Sequence, residues 1–365
     1  MSKSRLSRLF GRLRKTICYV LAAASLGGGL VPPAAAVEVP TLYTAEVPFD
    51  REAKDPRNDA YQLALAEVLL RVSGSELSAN TAAVRELFPN PASYVMQFRP
   101  GANDSLWVSF DGQAIEQVLR NAGQTVWGAE RPLTLVWLAV DWGRGSREII
   151  AADDPDRSER ASRSLDLNRR LRERIVQAAE QRGLPLVFPL LDSIDLQNVT
   201  FSDIWGGFDE RIVAASDRYD VNSILIGRIR ATSNGREDWS YFFSGEERSW
   251  NGPPEAIVGR VADLLTAEFA VGGNAPIESV VLHVSGIVSV EAYGSLQRLL
   301  AGVTLIENFI VTEVAGDRVS YRIDVRGGAD RLSRALRFNG LVEQESAALF
   351  GEAPPGPTLE FFYGP

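Results

Sequence analysis

The spacing of apolar residues changes several times along the chain, and each change predicts an element. "TLYTAEV", from Thr41, reads as a strand. Leu63, Leu65, Leu69 and Val72 are among the apolar residues of a helix over 58–72, which the turn "SGS" ends. A second helix near 80–88 stops at Pro89, and a strand is expected at 93–98. After the loop "RPGAND", Leu106, Val108 and Phe110 alternate inward in the strand "LWVSF". A helix over 112–122 closes on Gly123, which suits a left-handed cap, and "QTVW" is a short final strand. The order is β-α-α-β-β-α-β.

The middle of the chain has a different rhythm. "PLTLVWLAV" is unbroken apolar sequence, as expected for a strand buried on both faces. A charged loop over 141–164 leads into a helix over 165–182, with Leu167, Leu171, Ile175 and Ala178 at helical spacing and Gly183 beyond its end. "LPLVFPLL" reads as the next strand and 207–219 as a helix. "VNSILIGRIR" and "DWSYFFSGEE" predict a hairpin around the Asn-Gly turn "SNG", followed by a helix over 254–270. Strands alternating with helices imply an α/β layer.

"VGGNAP", 271–276, reads as a linker to a last unit. There "SVVLHVSG" is a strand, 290–301 a helix, and 304–313 and 318–325 two strands joined by "AGDR". The closing helix ends in "LRFNG", as the first unit's matching helix ends in "LRNAG"; Phe110 and Gly112 correspond to Val325 and Gly327. This punctuation reads as a degenerate repeat of a β-α-β-β-α-β unit. The expected architecture is α+β with α/β: two ferredoxin-like βαββαβ units, over 37–130 and 277–365, flank a central α/β domain over 131–270.

The first 36 residues stand outside this scheme. Arg5, Arg8, Arg12, Arg14 and Lys15 precede an apolar run over 17–31, and Ala34-Ala35-Ala36 supplies small residues for a signal peptidase. Cleavage after Ala36 and a periplasmic destination are expected, with retention of the leader as an anchor the alternative. The run is short for a membrane span and carries glycines and prolines. No Arg-Arg pair marks a twin-arginine signal, and Cys18 lies too early in the run for lipidation. Residues 37–365 hold no cysteine, so neither disulfides nor thiol catalysis is available to them. The formal charge of −9 becomes −15 once the leader's six cations are removed, which disfavours nucleic acid and anionic lipid as partners. No later apolar run is long enough for a membrane span.

Catalytic chemistry finds little equipment. His283 is the sole histidine, on the face of its strand opposite Val280, Leu282 and Val284, and no Gly-x-Ser-x-Gly elbow exists. Lys54 is the only lysine after the leader, so Ser-x-x-Lys catalysis and Walker A phosphate binding are absent. Soft-metal sites lack ligands, and "DDPD" at 153–156 lacks the glycine and distal glutamate of a calcium loop. No cofactor is implied. "SDIWGGFDERIVAAS", 202–216, draws attention with Asp203, Asp209 and Glu210 around Trp205. A helix start accounts for the acids: Asp203 caps, and Asp209 and Glu210 favour the positive end of the dipole. Trp205 is either core or the wall of a groove. Trp142 ends the central strand, where open α/β sheets place ligands.

"LYTAEVP", "LLRVSG", "GLPLVFPLLD" and "WGGFDERIVAAS", with Tyr219 beyond, together resemble a bacterial family known as domain of unknown function 2066 over about 40–270. The resemblance implies export in Gram-negative bacteria and no activity that carries onto particular residues. The element order over 132–270 also looks like the α/β modules of envelope-assembly proteins, such as the TolB N-terminal domain and CsgG-like domains. The expectation is a non-catalytic binding or assembly module whose partner is an envelope protein or a peptidoglycan-type glycan, with Trp142, Trp205, Asp203 and Asp209 as candidate binding residues. The alternatives are a carboxylate-dependent hydrolase of envelope glycan, using Asp203 or Asp209, and a structural subunit of a secretion or motility apparatus.

Overall fold

The computed structural model describes residues 36–74, 77, 80–152, 163–231, 235–243, 245–344 and 356–364. Residues 1–35 of the expected leader, Cys18 among them, and the acidic run 153–156 lie outside the described residues. The fold is mixed α and β, with several separate sheets.

The first part comprises β1 (Ala36–Glu38), β2 (Thr44–Pro48), α1 (Pro56–Ser73), α2 (Thr81–Leu87), a single 3-10 turn (Pro91–Tyr94), β3 (Val95–Pro100), β4 (Ser105–Phe110), α3 (Gly112–Asn121) and β5 (Thr125–Val126). Helix α1 starts where Asp55 accepts from the Asn58 amide, with Pro56 in the first turn. It buries Leu65, Val68 and Leu69 in a cluster with Val47, Val108, Phe110 and Ile115. The antiparallel sheet runs β2-β4-β3. It has three strands rather than the four of a complete βαββαβ unit, because β5 pairs instead with Val271–Gly272. The expected linker is therefore a bonded strand at its start, and Val271 is buried.

The central layer follows: β6 (Glu130–Pro132), which pairs with β1, then β7 (Thr134–Gly143), β8 (Ser146–Ile149), α4 (Arg163–Gln181) and β9 (Leu186–Val187). Next come α5 (Ser193–Asn198), α6 (Phe201–Gly206), α7 (Asp209–Ser216), β10 (Ser223–Arg230), β11 (Glu237–Phe243), β12 (Glu246–Asn251) and α8 (Pro254–Phe269). The sheet order is β12-β11-β10-β7-β8, with β9 also on β7. Strand β7 is parallel to β10 and β9, and it is buried from Thr134 to Val140. Its residues alternate between two cores. Val136, Leu138 and Val140 meet Ile175, Ile257 and Val261; Leu135, Trp137 and Ala139 meet Ile204 and Ile212. The sheet thus has helices on both faces.

Three local readings are corrected here. The expected charged loop contains β8, turned back antiparallel on β7 through Arg144 and Gly145, both at positive φ. Only Leu186–Val187 of "LPLVFPLL" pairs with β7 as strand, because Pro185 and Pro189 have no amide to give; their carbonyls accept from Thr134 and Ala152 instead. The expected helix 207–219 is present as α7, continued by a 3-10 turn over Asp217–Tyr219, but it is preceded by an unexpected short helix, α6, which Gly207 at φ 73 closes.

The last part is β13 (Val271–Gly272), β14 (Ile277–Ser285), α9 (Val290–Gly302), β15 (Ile306–Ala315), β16 (Arg318–Arg326), α10 (Ala329–Phe338), β17 (Val342–Glu343) and β18 (Thr358–Phe362). The sheet order is β15-β16-β14-β18-β17. Val280, Leu282, Tyr321 and Ile323 meet Leu296, Leu300, Leu332 and Leu336 of α9 and α10 in one core. Strand β14 is antiparallel to β16 and parallel to β18, so one strand more than a four-stranded antiparallel unit is present.

Arg131, wholly buried, joins the first part to the central layer. Its Nε donates to Gly128 O at 2.9 Å, Nη1 to Arg182 O and Gly183 O at 3.1 and 2.9 Å, and Nη2 to Arg71 O and Trp127 O at 2.7 and 2.9 Å. Arg71 and Arg182 lie at the carboxyl ends of α1 and α4, where a cation complements the helix dipole. The Trp127 ring stacks on the same guanidinium at 4.0 Å. Burial lowers its pKa to about 9, which leaves it charged at neutral pH. No helix of the described residues is long and apolar enough to cross a membrane.

Candidate functional site

The alternation of β7 decides where the candidate residues fall. Trp142 points to the α4 side, where its indole Nε1 donates to Asn168 Oδ1 at 2.8 Å and its ring packs on the core of that face. Trp205, in α6, packs half-buried on the opposite core. The two tryptophans therefore do not share a groove.

Asp203 serves α6 rather than the helix carrying Ile212. Thr200 is the N-cap; Asp203 Oδ2 accepts from the Thr200 amide at 2.8 Å and from its hydroxyl at 2.6 Å, in a capping box. Arg211 Nη1 reaches the other oxygen at 3.2 Å. The Thr200 hydrogen bonds, with Arg211, hold the Asp203 carboxyl below its usual pKa. Asp209 opens α7 and is ion-paired to Arg228 of β10, whose Nε also donates to Ile204 O at 2.6 Å. Both aspartates line one open cavity of about 530 Å³, with Phe208, Glu210, Arg211 and Glu247. Each holds an arginine. A glycan-cleaving general acid needs a raised pKa, and Asp203 has the reverse.

A different constellation sits at the carboxyl ends of β7 and β10. Asp141 and Arg230 are partners in the parallel register and lie on the Trp205 side. Arg147 Cζ stands 5.9 Å from the Phe201 ring centre, Phe201 stacks on Trp205 at 5.2 Å and 21°, and Arg230 Cζ lies 5.5 Å from Trp205. The result is a ladder of cation, ring, ring and cation. Asp141 accepts from the Gly143 amide at 2.9 Å and from Arg147 Nε at 3.2 Å, and these bonds lower its pKa. Arg230 is exposed and has no ion pair among the described residues. The Trp205 indole is thus already met by Phe201 and by Arg230; the Arg230 guanidinium stands open, and that of Arg147 is held by Asp141 through Nε. The rim suits carboxylates better than the flat face of a sugar.

Sequence reasoning missed Arg147, Phe201, Arg228 and Arg230. One signal was present: in "ILIGRIR" the two arginines stand two apart, which places both on one strand face. Nothing local marked Phe201 or Arg147, which arrive from other elements. His283 lies on the face of β14 away from the core, with Nδ1 2.8 Å from Ser320 Oγ. Burial, then the nearby Arg318, lowers its pKa. Among the described residues no group of three or more His, Cys, Asp or Glu is placed to hold a metal ion.

Residues 36–128 match the model of a family described as a domain of unknown function (DUF8605). The match spans β1 to β5 and the core of the first part, and it ends before β6 and the central sheet. Comparison with curated proteins and with solved structures gave no match.

Proposed function

We propose that this chain is an exported periplasmic protein that works by binding, and that its partner is an envelope protein presenting carboxylates to the rim formed by Arg147, Phe201, Trp205 and Arg230. The observation that carries the reading is the exposed cationic ladder at the ends of the parallel strands, on a chain whose overall charge is negative. A local basic rim on an acidic protein selects acidic partners and orients their approach. The Trp205 ring, already stacked on Phe201 and approached by Arg230, argues for protein over peptidoglycan-type glycan.

The helix–sheet–helix layering over 134–269 supports a likeness to TolB N-terminal and CsgG-like modules, and helix-covered sheets before and after it support the ferredoxin-like reading of the flanking units. The motifs shared with domain of unknown function 2066 support export. Cleavage after Ala36 would leave Val37 and Glu38 to pair with β6.

Pull-down from crosslinked envelopes tests the proposal with the full processed chain and its Arg147→Glu/Arg230→Glu variant. A protein retained by the first and lost by the second is expected, with purified peptidoglycan retained by neither. Equal recovery by both chains, or retention of peptidoglycan alone, would sink it. Stoichiometric co-purification with a membrane complex would favour a structural subunit of a secretion or motility apparatus.

A further inference from the structure

A cavity of about 830 Å³ lies at the amino end of β10, the end of the strand away from the Trp205 rim, and stands apart from the proposed function. It is shared by β11, α8 and α10. Phe243, Phe269 and Phe338, all half-buried, form an aromatic floor. The Phe269 and Phe338 centroids are 5.0 Å apart, and Phe243 meets Phe269 edge-on at 5.9 Å and 78°. Around this floor stand arginines from two elements, Arg248 from β12 and Arg334 and Arg337 from α10.

The way these arginines are held is informative. Arg334 uses Nε on Glu268 at 2.5 Å, and Arg337 uses Nε on Glu343 at 3.4 Å. Those bonds fix the two side chains, which are one helical turn apart on α10. The Nη nitrogens of both have no partner among the described residues. Two anchored guanidiniums with free donor ends, beside three phenylalanines, make a site for a molecule with two different ends. The volume falls within the roughly 300–1,000 Å³ typical of small-molecule sites.

We propose that this cleft binds a small amphipathic anion, with an aliphatic or aromatic body against Phe243, Phe269 and Phe338 and a carboxylate or phosphate head on the Nη groups of Arg334 and Arg337. The open Nη donors of Arg334 and Arg337 call for an anionic head group. Asp217, Glu246 and Glu268 on the same rim would by themselves attract a cation, but Glu246 and Glu268 are already ion-paired, with Arg248 and Arg334.

Calorimetric titration of the full processed chain with decanoate, decyl phosphate and decyltrimethylammonium, each below its aggregation concentration, tests this. The expected result is one-to-one binding of both anions and binding of the cation weaker by about ten-fold or more, since only the anions accept charge-assisted hydrogen bonds from the Nη groups. Both arginines are exposed, so Arg334→Gln/Arg337→Gln should fold as the parent does, which its unfolding temperature checks, and should lose anion affinity by a similar factor. Cation binding equal to anion binding, or unchanged affinity in the double variant, overturns the proposal. Competition by phosphatidylglycerol vesicles would assign the ligand to a membrane lipid, and persistent decanoate binding in their presence would assign it to a free amphiphile; either supports the site.

Discussion

Arg131 and Gly183 are fitted to one another: Nη1 donates to the Gly183 carbonyl at 2.9 Å, and the same nitrogen lies 2.6 Å from where a Cβ on residue 183 would stand. Gly183 also sits at φ 59, a conformation that side chains disfavour. Arg131→Met should therefore lower unfolding free energy by about 2–4 kcal/mol, because buried carbonyls lose their donor. Gly183→Ala should also destabilise, through strain and through displacement of the guanidinium. Urea unfolding measures both. If the double variant loses as much as the two single losses added, the residues do not act as a unit and the fitted pair is refuted.

The Thr200–Asp203 box ties stability to pH. A carboxyl held below its unfolded pKa of about 3.9 contributes stability that is present above pH ~4 and lost as pH falls through the folded value. Asp203→Asn should lower the unfolding temperature at pH 7 by roughly 2–4 °C, as expected for loss of a cap bond of about 1 kcal/mol. The gap between variant and parent should narrow on acidification below pH ~4. A gap of constant size from pH 7 to pH 3 would show that the charge of Asp203 does not matter.

Because Trp142 and Trp205 lie on opposite faces of the central sheet, their substitutions should separate stability from binding. Trp142→Phe removes the donor to Asn168 Oδ1 and should cost about 1 kcal/mol with partner capture unchanged. Trp205→Ala removes the ring between Phe201 and Arg230 and should weaken capture as well. Loss of capture in the Trp142 variant at temperatures where it is folded would contradict the placement of the site.

Among the described residues strand β15 is an unpaired sheet edge, with Ile310 49% and Val314 63% exposed. Register shifts at Ile306/Asn308 and Val311/Glu313 interrupt its ladder, a device that discourages strand addition. Val314 remains an exposed apolar residue on this edge, so Val314→Lys should reduce self-association at high protein concentration while leaving the unfolding temperature within about 1 °C. Light scattering that is identical for parent and variant would locate any association elsewhere.

The amino-acid sequence by itself determined the periodic elements. The unbroken apolar run at 132–140 can satisfy its side chains only between two layers, and the alternation of Leu106, Val108 and Phe110 only against one; both are seen. Gly123, at φ 71, ends a helix because few other residues take that backbone shape. Tertiary structure alone decided which strand meets which and which charges meet. β5 pairs with a segment more than a hundred residues away, Arg131 collects carbonyls from two helix ends, and the Trp205 ladder draws Arg147, Phe201 and Arg230 from three elements. Local preference acts over a few neighbouring residues, whereas these groupings are set by how the buried faces of distant elements close on one another.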